Sequence, residues 1–177
     1  FNWNYWNVFC FRKMISKYLY FVSSTKSQII IFILLNICGL IFVFLPHNIF
    51  SNMLDLEFSY NEDIVLKYFN EMGPDGRSMY IFSSLLLDTL YPILYTSLIL
   101  GAYVNLFKNS HAILILPLIA FSFDILENFQ ITMLNLNFPD INETQIYLSS
   151  MATSAKWIAI LVVILVLIYG IIQKRKK

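Results

Sequence analysis

The chain has 177 residues, of which 58% are hydrophobic and only 13% are charged, and its mean hydropathy is +0.66. Soluble domains carry about 25% charged residues, so this composition excludes a water-soluble globular domain and indicates an integral membrane protein. Twelve basic and 11 acidic residues leave a net charge of +1, which excludes the strongly basic surface of a nucleic-acid-binding protein.

The first 27 residues form a separate segment that is rich in aromatic side chains and carries four basic residues. This mixture predicts a cytoplasmic helix that lies in the membrane interface. The alternative is an ordinary basic flank of the first membrane span. Cys10 lies in this segment and Cys38 follows in the first apolar run, without a C-x-x-C motif, which excludes a disulfide framework or a thiol-redox centre.

Residues 28–177 are predicted to form a single transmembrane domain with four spans. A membrane helix needs about 20 mostly apolar residues, and β-barrel alternation is absent, so the fold class is all-α. The predicted spans cover about residues 29–45, 79–104, 112–134 and 152–172. We expect them to pack as a four-helix bundle in the bilayer.

The connection between the first two spans contains a further helix signal. Ser59-Tyr60-Asn61-Glu62 matches a capping box, apolar residues then recur at helical spacing over 64–72, and Gly73-Pro74 marks an end. The pattern predicts a short amphipathic helix in the first outer loop, followed by a turn at residues 74–76. The second outer loop is predicted to cover residues 135–151.

Basic residues predict the orientation of the chain in the membrane. Nine lie on the side that holds both termini and three lie on the other side. The nine are Arg12, Lys13, Lys17, Lys26, Lys108, Lys174, Arg175, Lys176 and Lys177, and the three are Lys67, Arg77 and Lys156. Since basic residues favour the cytoplasmic side, both termini are predicted to be cytoplasmic, or to face the matrix or stroma in an organelle.

Three carboxyl groups, those of Asp88, Asp124 and Glu127, lie inside the predicted spans. Such groups are costly in hydrocarbon, so they normally face the protein interior and mark a function or a pairing. At 1.5 Å per residue their depths agree to within about 5 Å, in the outer half of the membrane. We therefore expect all three in one polar layer.

Helical spacing places further polar residues on the same two faces. Asp124, Glu127 and Asn128 share one face of the third span, and Asp88, Tyr91 and Tyr95 share one face of the second. Pro92 has no N–H to donate to the carbonyl of Asp88, which is left free to act as a ligand or to open a pocket. These two faces together predict a binding pocket between the second and third spans.

The charge of this pocket requires compensation, because clustered carboxylates cannot all be ionised in a low dielectric. Protonation is one solution, and Arg77 as a shield or Lys156 as a counter-charge is another. The third is a bound cation, for which Asp88, Asp124 and Glu127 would be hard oxygen ligands suited to Ca²⁺, Mg²⁺ or Mn²⁺. No other cofactor is expected, apart from a bound lipid.

Three functions remain open from the sequence. The first is a membrane protein whose carboxylate pocket binds a cation, a proton or a polar lipid headgroup. The second is a non-catalytic subunit, in which the polar layer only locks the helices and the partners are a second copy of the chain or other membrane proteins. The third is a lipid-modifying enzyme with paired carboxylates as acid and base, against which the missing nucleophile and the lack of clustered histidines count.

The polar residues also form an ordered pattern along the chain. It consists of Gly73-Pro74-Asp75-Gly76-Arg77, then Asp88 with Tyr91-Pro92, and then Asp124 with Glu127-Asn128. This pattern resembles that of a group of uncharacterised four-span membrane proteins. The resemblance implies that these residues act together, and it implies no particular activity.

Overall fold

The computed structural model describes residues 3–107 and 111–176, with the backbone alone for residues 3–12 and 111. These residues form five α-helices and no β-strand. The helices are α1 (Trp3–Ser23), α2 (Thr25–Val43), α3 (Glu62–Leu106), α4 (Ile115–Asn137) and α5 (Glu143–Arg175). The all-helical fold class is therefore confirmed for the described part of the chain.

Four of the helices, α2 to α5, are long and apolar enough to cross a membrane. Helices α3 and α5 contain the second and fourth predicted spans and extend beyond them. Helix α2 ends two residues before the predicted end of the first span, and α4 begins three residues after the predicted start of the third. Large apolar side chains such as Ile30, Leu85 and Leu161 lie exposed on their outer faces. A surface of this kind suits lipid rather than water, so the chain is a multi-pass membrane protein by length and composition.

Helix α1 covers most of the predicted interfacial segment, of which residues 1 and 2 lie outside the described residues. It ends at Ser23, and the side chain of the next residue, Ser24, caps α2 by accepting a hydrogen bond from Ser27 N at 3.2 Å. Tyr18 Oη lies 2.7 Å from Ser97 Oγ, and Asn105 Nδ2 donates to Ser23 O at 2.8 Å. Helix α1 therefore packs along the last turns of α3, and its place in the membrane interface stays a prediction.

Helix α3 consists of two helical parts that meet at Gly73, whose φ of 67° and ψ of 179° break the helix. The predicted helix before Gly73 is present, but it is capped by Asn61 Oδ1, which accepts from Ile64 N at 3.1 Å, and not by Ser59. The predicted turn at residues 74–76 is wrong, because Pro74 begins the second helical part. A proline fits there since the first helical turn needs no donor.

The second outer loop is also shorter than predicted. Helix α4 continues to Asn137 and α5 begins at Glu143, so only residues 138–142 connect them. Asn142 caps α5, with its Oδ1 accepting from Thr144 N at 2.8 Å. The polar residues that suggested a loop therefore lie in the cap and the first turn of a helix. Helix caps prefer the same amino-acid types as loops do.

Residues 44–61, which we call the α2–α3 connection, fold back onto the helices. Two short 3₁₀ helices, Phe50–Asn52 and Leu54–Leu56, lie within it, and Leu54 is fully buried. Tyr60 Oη lies 2.6 Å from Ser149 Oγ, and burial raises the pKa of Tyr60 to about 12, so its hydroxyl stays protonated. Ser154 Oγ donates to Phe58 O at 2.8 Å, which holds the connection against α5.

Helix α3 is at the centre of the packing, since α1, α2, α4 and α5 all contact it. Helix α4 also packs along α5, whereas in the described chain α2 does not pack along α5. Gly170 lies against the ring of Phe107, and Ser23 against Asn105, so α1, α3 and α5 end on the same side of the molecule. The α2–α3 connection closes the opposite side.

Candidate functional site

A cavity of about 530 Å³ lies between α2, α3, α4 and α5, with the α2–α3 connection at one end. Most of its wall is apolar or aromatic, and the described lining includes four charged side chains. These are Asp55, Asp88, Asp124 and Lys156. Helix α2 packs on α3, and residues of both α2 and α5 line the cavity.

Asp88 lines this cavity from α3, and only 8% of the residue is exposed. None of the hydrogen bonds and ion pairs among the described residues reaches its carboxyl group. Its backbone carbonyl accepts a hydrogen bond from Asn128 Nδ2 of α4 at 2.5 Å. That carbonyl is available because Pro92 has no N–H, so it joins two helices and is not an open ligand.

Asp124 lines the cavity from α4, where Tyr95 Oη of α3 donates to its Oδ2 at 2.9 Å. Tyr95 packs edge-on against Tyr91, with 6.1 Å between the ring centres, and Tyr91 packs likewise against Phe42 of α2 at 6.3 Å. The aromatic rings thus form the wall of the cavity beside the two aspartates.

Glu127 is fully buried and faces α5, where its Oε2 lies 2.5 Å from Lys156 Nζ. Lys156 Nζ also donates to the backbone carbonyl of Asp55 at 3.0 Å. The lysine therefore holds α4, α5 and the α2–α3 connection together. Glu127 is absent from the described lining of the cavity, because it is directed at this ion pair.

Asp55 is a member of the site that the sequence analysis missed. It is buried in the second 3₁₀ helix of the α2–α3 connection, and its Oδ1 accepts from Tyr80 Oη at 2.9 Å. The same tyrosine oxygen accepts from Leu54 N at 3.2 Å. The only local signal was the apolar character of Met53, Leu54 and Leu56, which surround an acidic residue in a polar connection.

Arg77 is not brought to the cluster. Its Nη1 donates to Phe69 O at 2.9 Å, and its guanidinium lies 4.5 Å from the centre of the Phe138 ring. No ion pair joins it to a carboxylate within the described chain. Arg77 lies one turn after the break at Gly73, where its side chain satisfies a carbonyl at the end of the preceding helical part.

A divalent cation needs several hard ligands that converge on one point. Within residues 3–107 and 111–176, no group of three or more His, Cys, Asp and Glu side chains is close enough to hold a metal ion. The geometry does bring Asp88, Asp124 and Lys156 to one cavity, with Tyr91 and Tyr95. It directs Glu127 and Asn128 to helix–helix contacts instead.

No protein family model, no curated protein and no solved structure matches the chain. The resemblance to uncharacterised four-span proteins therefore rests on the motif residues alone.

Proposed function

We propose that this chain is an intramembrane binding protein for an amphiphilic molecule. The polar head of the ligand would lie beside Asp88 and Asp124, and its apolar part would lie along the wall of the cavity. The observation that carries this proposal is the position of Asp88, whose buried side chain lines a largely apolar cavity and whose carboxyl group receives no hydrogen bond from the described residues. Buried polar groups normally have partners, so a missing partner points to a ligand.

The size and position of the cavity support an amphiphile. Ligand cavities of about 300–1,000 Å³ with apolar walls and a few polar groups are typical small-molecule sites. Val43 of α2 and Ile164 of α5 both line the cavity, and their exposed fractions are 48% and 44%. Because these residues lie on lipid-facing helices, the cavity would open sideways towards the bilayer, and a membrane-dissolved molecule would reach it directly.

An assembly subunit is the second candidate, and the Glu127–Lys156 ion pair favours it. This pair links two helices and the α2–α3 connection without any ligand, as a structural lock would. The lock accounts for Glu127, Lys156 and Asp55. It gives no role to Asp88 or to the cavity beside it, which is why we prefer a binding function.

A lipid-modifying enzyme has less support. The described lining of the cavity contains no serine, cysteine or histidine, so it offers no hydroxyl or thiol nucleophile of the serine or cysteine type and no imidazole base to activate one. The assembly subunit is one outcome of the binding experiment below.

The proposal is tested by purifying the full chain in a mild detergent and detecting retained amphiphiles by native mass spectrometry. Val43→Trp and Gly39→Leu would both fill the cavity, and Gly39→Ala is the matched control because its methyl group would make only ordinary contacts. We expect a bound small molecule on the unchanged chain and on Gly39→Ala, and its loss from both filled variants. Retention by both filled variants, with unchanged unfolding temperatures, would refute the cavity as the binding site. Co-purification of a stoichiometric membrane partner without any bound amphiphile would favour the assembly subunit.

A further inference from the structure

Acidic groups outnumber basic groups around the cavity. Four carboxyl groups surround its polar part, those of Asp55, Asp88, Asp124 and Glu127, and the basic group among them is Lys156. Lys156 is already committed to Glu127 and to a backbone carbonyl. Three carboxyl groups are therefore left without a cation in the described part of the structure.

The three remaining carboxyl groups differ in their donors. Tyr80 donates to Asp55 and Tyr95 donates to Asp124, and each of these bonds is 2.9 Å long. The carboxyl group of Asp88 receives no hydrogen bond from the described residues, although the residue is more than nine-tenths buried and lines the cavity. A buried carboxyl group without a partner is costly, so Asp88 is the position at which a donor from outside the chain would be most favourable.

We infer that the ligand is a single-chain amphiphile with a protonated amine as its head, an inference that rests on the proposed binding function. An ammonium group supplies both the positive charge and three N–H donors. It would pair with Asp88 and share the second oxygen of Asp124, whose Oδ2 is taken by Tyr95. A phosphate or carboxylate head would instead meet like charge at these residues, which costs affinity.

The aromatic wall of the cavity also favours a positively charged ligand head. Phe42, Tyr91, Tyr95 and Trp157 line the cavity beside the aspartates. The faces of aromatic rings attract cations, most strongly where water is excluded. The ring of Trp157 already lies 5.2 Å from Lys156 Nζ, so this part of the cavity accommodates an ammonium group of the chain itself.

The tail has one direction in which to extend. The lining beyond the charged residues is apolar on α5, with Ile160, Val163 and Ile164. Because α2 does not pack along α5 in the described chain, the tail would leave through the gap between them. A volume of about 530 Å³ suits one alkyl chain rather than the two chains of a bilayer phospholipid.

The test uses three probes with the same alkyl chain, namely decylammonium, decanol and decyl phosphate, added in equal amounts to the purified full-length chain. Native mass spectrometry measures the fraction of protein that carries each probe. We expect decylammonium to bind at least about tenfold more tightly than either of the others, as a charge-assisted hydrogen bond provides.

Asp88→Asn is the informative variant, since it keeps the shape of the side chain and leaves the backbone carbonyl that Asn128 contacts. Asp75→Asn is the matched control, because it removes an exposed carboxyl group from the same helix. We expect Asp88→Asn to weaken decylammonium binding about tenfold and to leave decanol unchanged, while Asp75→Asn changes neither. Asp124→Asn serves as a second variant should Asp88→Asn lower the unfolding temperature.

The outcomes separate this inference from the proposed function. Equal binding of decanol and decylammonium, both displaced by Val43→Trp, would overturn the ammonium inference and keep the amphiphile cavity. Preferred binding of decyl phosphate would likewise overturn the ammonium inference and keep the amphiphile cavity. Absence of any probe would overturn both, and equal effects of Asp88→Asn and Asp75→Asn would show that Asp88 is not the point of contact.

Discussion

Lys156 contacts two residues that are distant from it in the sequence. It pairs with the carboxylate of Glu127 and donates a hydrogen bond to the backbone carbonyl of Asp55. Both lie in other elements, so one side chain connects α5 with α4 and with the α2–α3 connection. The sequence leaves two options for Lys156 as a counter-charge, which are pairing with Glu127 or extending outward to the membrane surface. Only the packing of α4 against α5 decides that the partner is Glu127 and that Asp88 and Asp124 remain in the cavity.

This arrangement predicts the effect of removing the lysine. Lys156→Met would leave Glu127 buried without a partner, and we expect a loss of about 3–5 kcal/mol in the free energy of unfolding. The double variant Glu127→Gln with Lys156→Met should recover much of this loss, because it removes both buried charges. Chemical denaturation in mild detergent, followed by circular dichroism, measures the difference.

Lys174→Met is the control for this prediction, since Lys174 is exposed near the end of the same helix. It should change the free energy of unfolding by less than about 0.5 kcal/mol. A loss in Lys156→Met no larger than that in Lys174→Met would show that the ion pair is not a structural lock.

At the scale of the helices, the sequence predicts the helix ends and caps correctly as types of feature, but it places some of them at the wrong residues. Gly73 ends a helical part as its pattern predicted, whereas the cap is Asn61 rather than Ser59. Asn142 looked like part of a polar loop and is the cap of α5. Capping residues and loop residues belong to the same amino-acid types, so the sequence alone does not separate them.

Gly101 gives a prediction about helix packing. A Cβ atom there would collide with the backbone carbonyl oxygen of Val22 and with the side chain of Gln28. We therefore expect Gly101→Ala to separate α1 from α3 and to cost about 1–3 kcal/mol of unfolding free energy, as overpacking typically does. Thermal unfolding in detergent, together with loss of the Tyr18–Ser97 contact, would report it.

Gly39→Ala is the matched control within α2. Its added methyl group would lie 3.7 Å from the ring of Tyr91, an ordinary van der Waals contact. Since alanine is favoured over glycine in a helix by up to about 1 kcal/mol, this variant should be as stable as the unchanged chain or slightly more so. Equal destabilisation by both variants would contradict a specific close approach at Gly101.

At the scale of the whole molecule, basic residues of two different helices lie on the same side of the structure. Lys26 lies in the first turn of α2 and Lys174 in the last turn of α5. Both turns are on the side of the molecule where α1 and α3 also end. Lys108 and Lys177, which the charge count includes, lie outside the described residues. Since basic residues favour the cytoplasmic side, we keep the prediction that both termini face the cytoplasm, or the matrix or stroma in an organelle.

Protease protection tests this orientation. Epitope tags at the N- and C-termini should resist protease added to intact cells and should be cleaved after the membrane is permeabilised. A tag inserted in the α2–α3 connection near the exposed residue His47 is the opposite control and should be cleaved on intact cells. Cleavage of a terminal tag on intact cells would refute the proposed orientation.

The amino-acid sequence by itself determined that the chain is helical and has four segments long and apolar enough to span a membrane, because the length and apolar character of a span are properties of consecutive residues. It also identified Asp88 and Asp124, since a carboxyl group within an apolar run stands out locally. Only the tertiary structure decided that Glu127 turns to Lys156, that Arg77 lies elsewhere and that Asp55 enters from a connection. The reason is physical: the cavity and the ion pair beside it form from contacts between segments that are distant in the sequence, and such contacts do not appear in any local pattern.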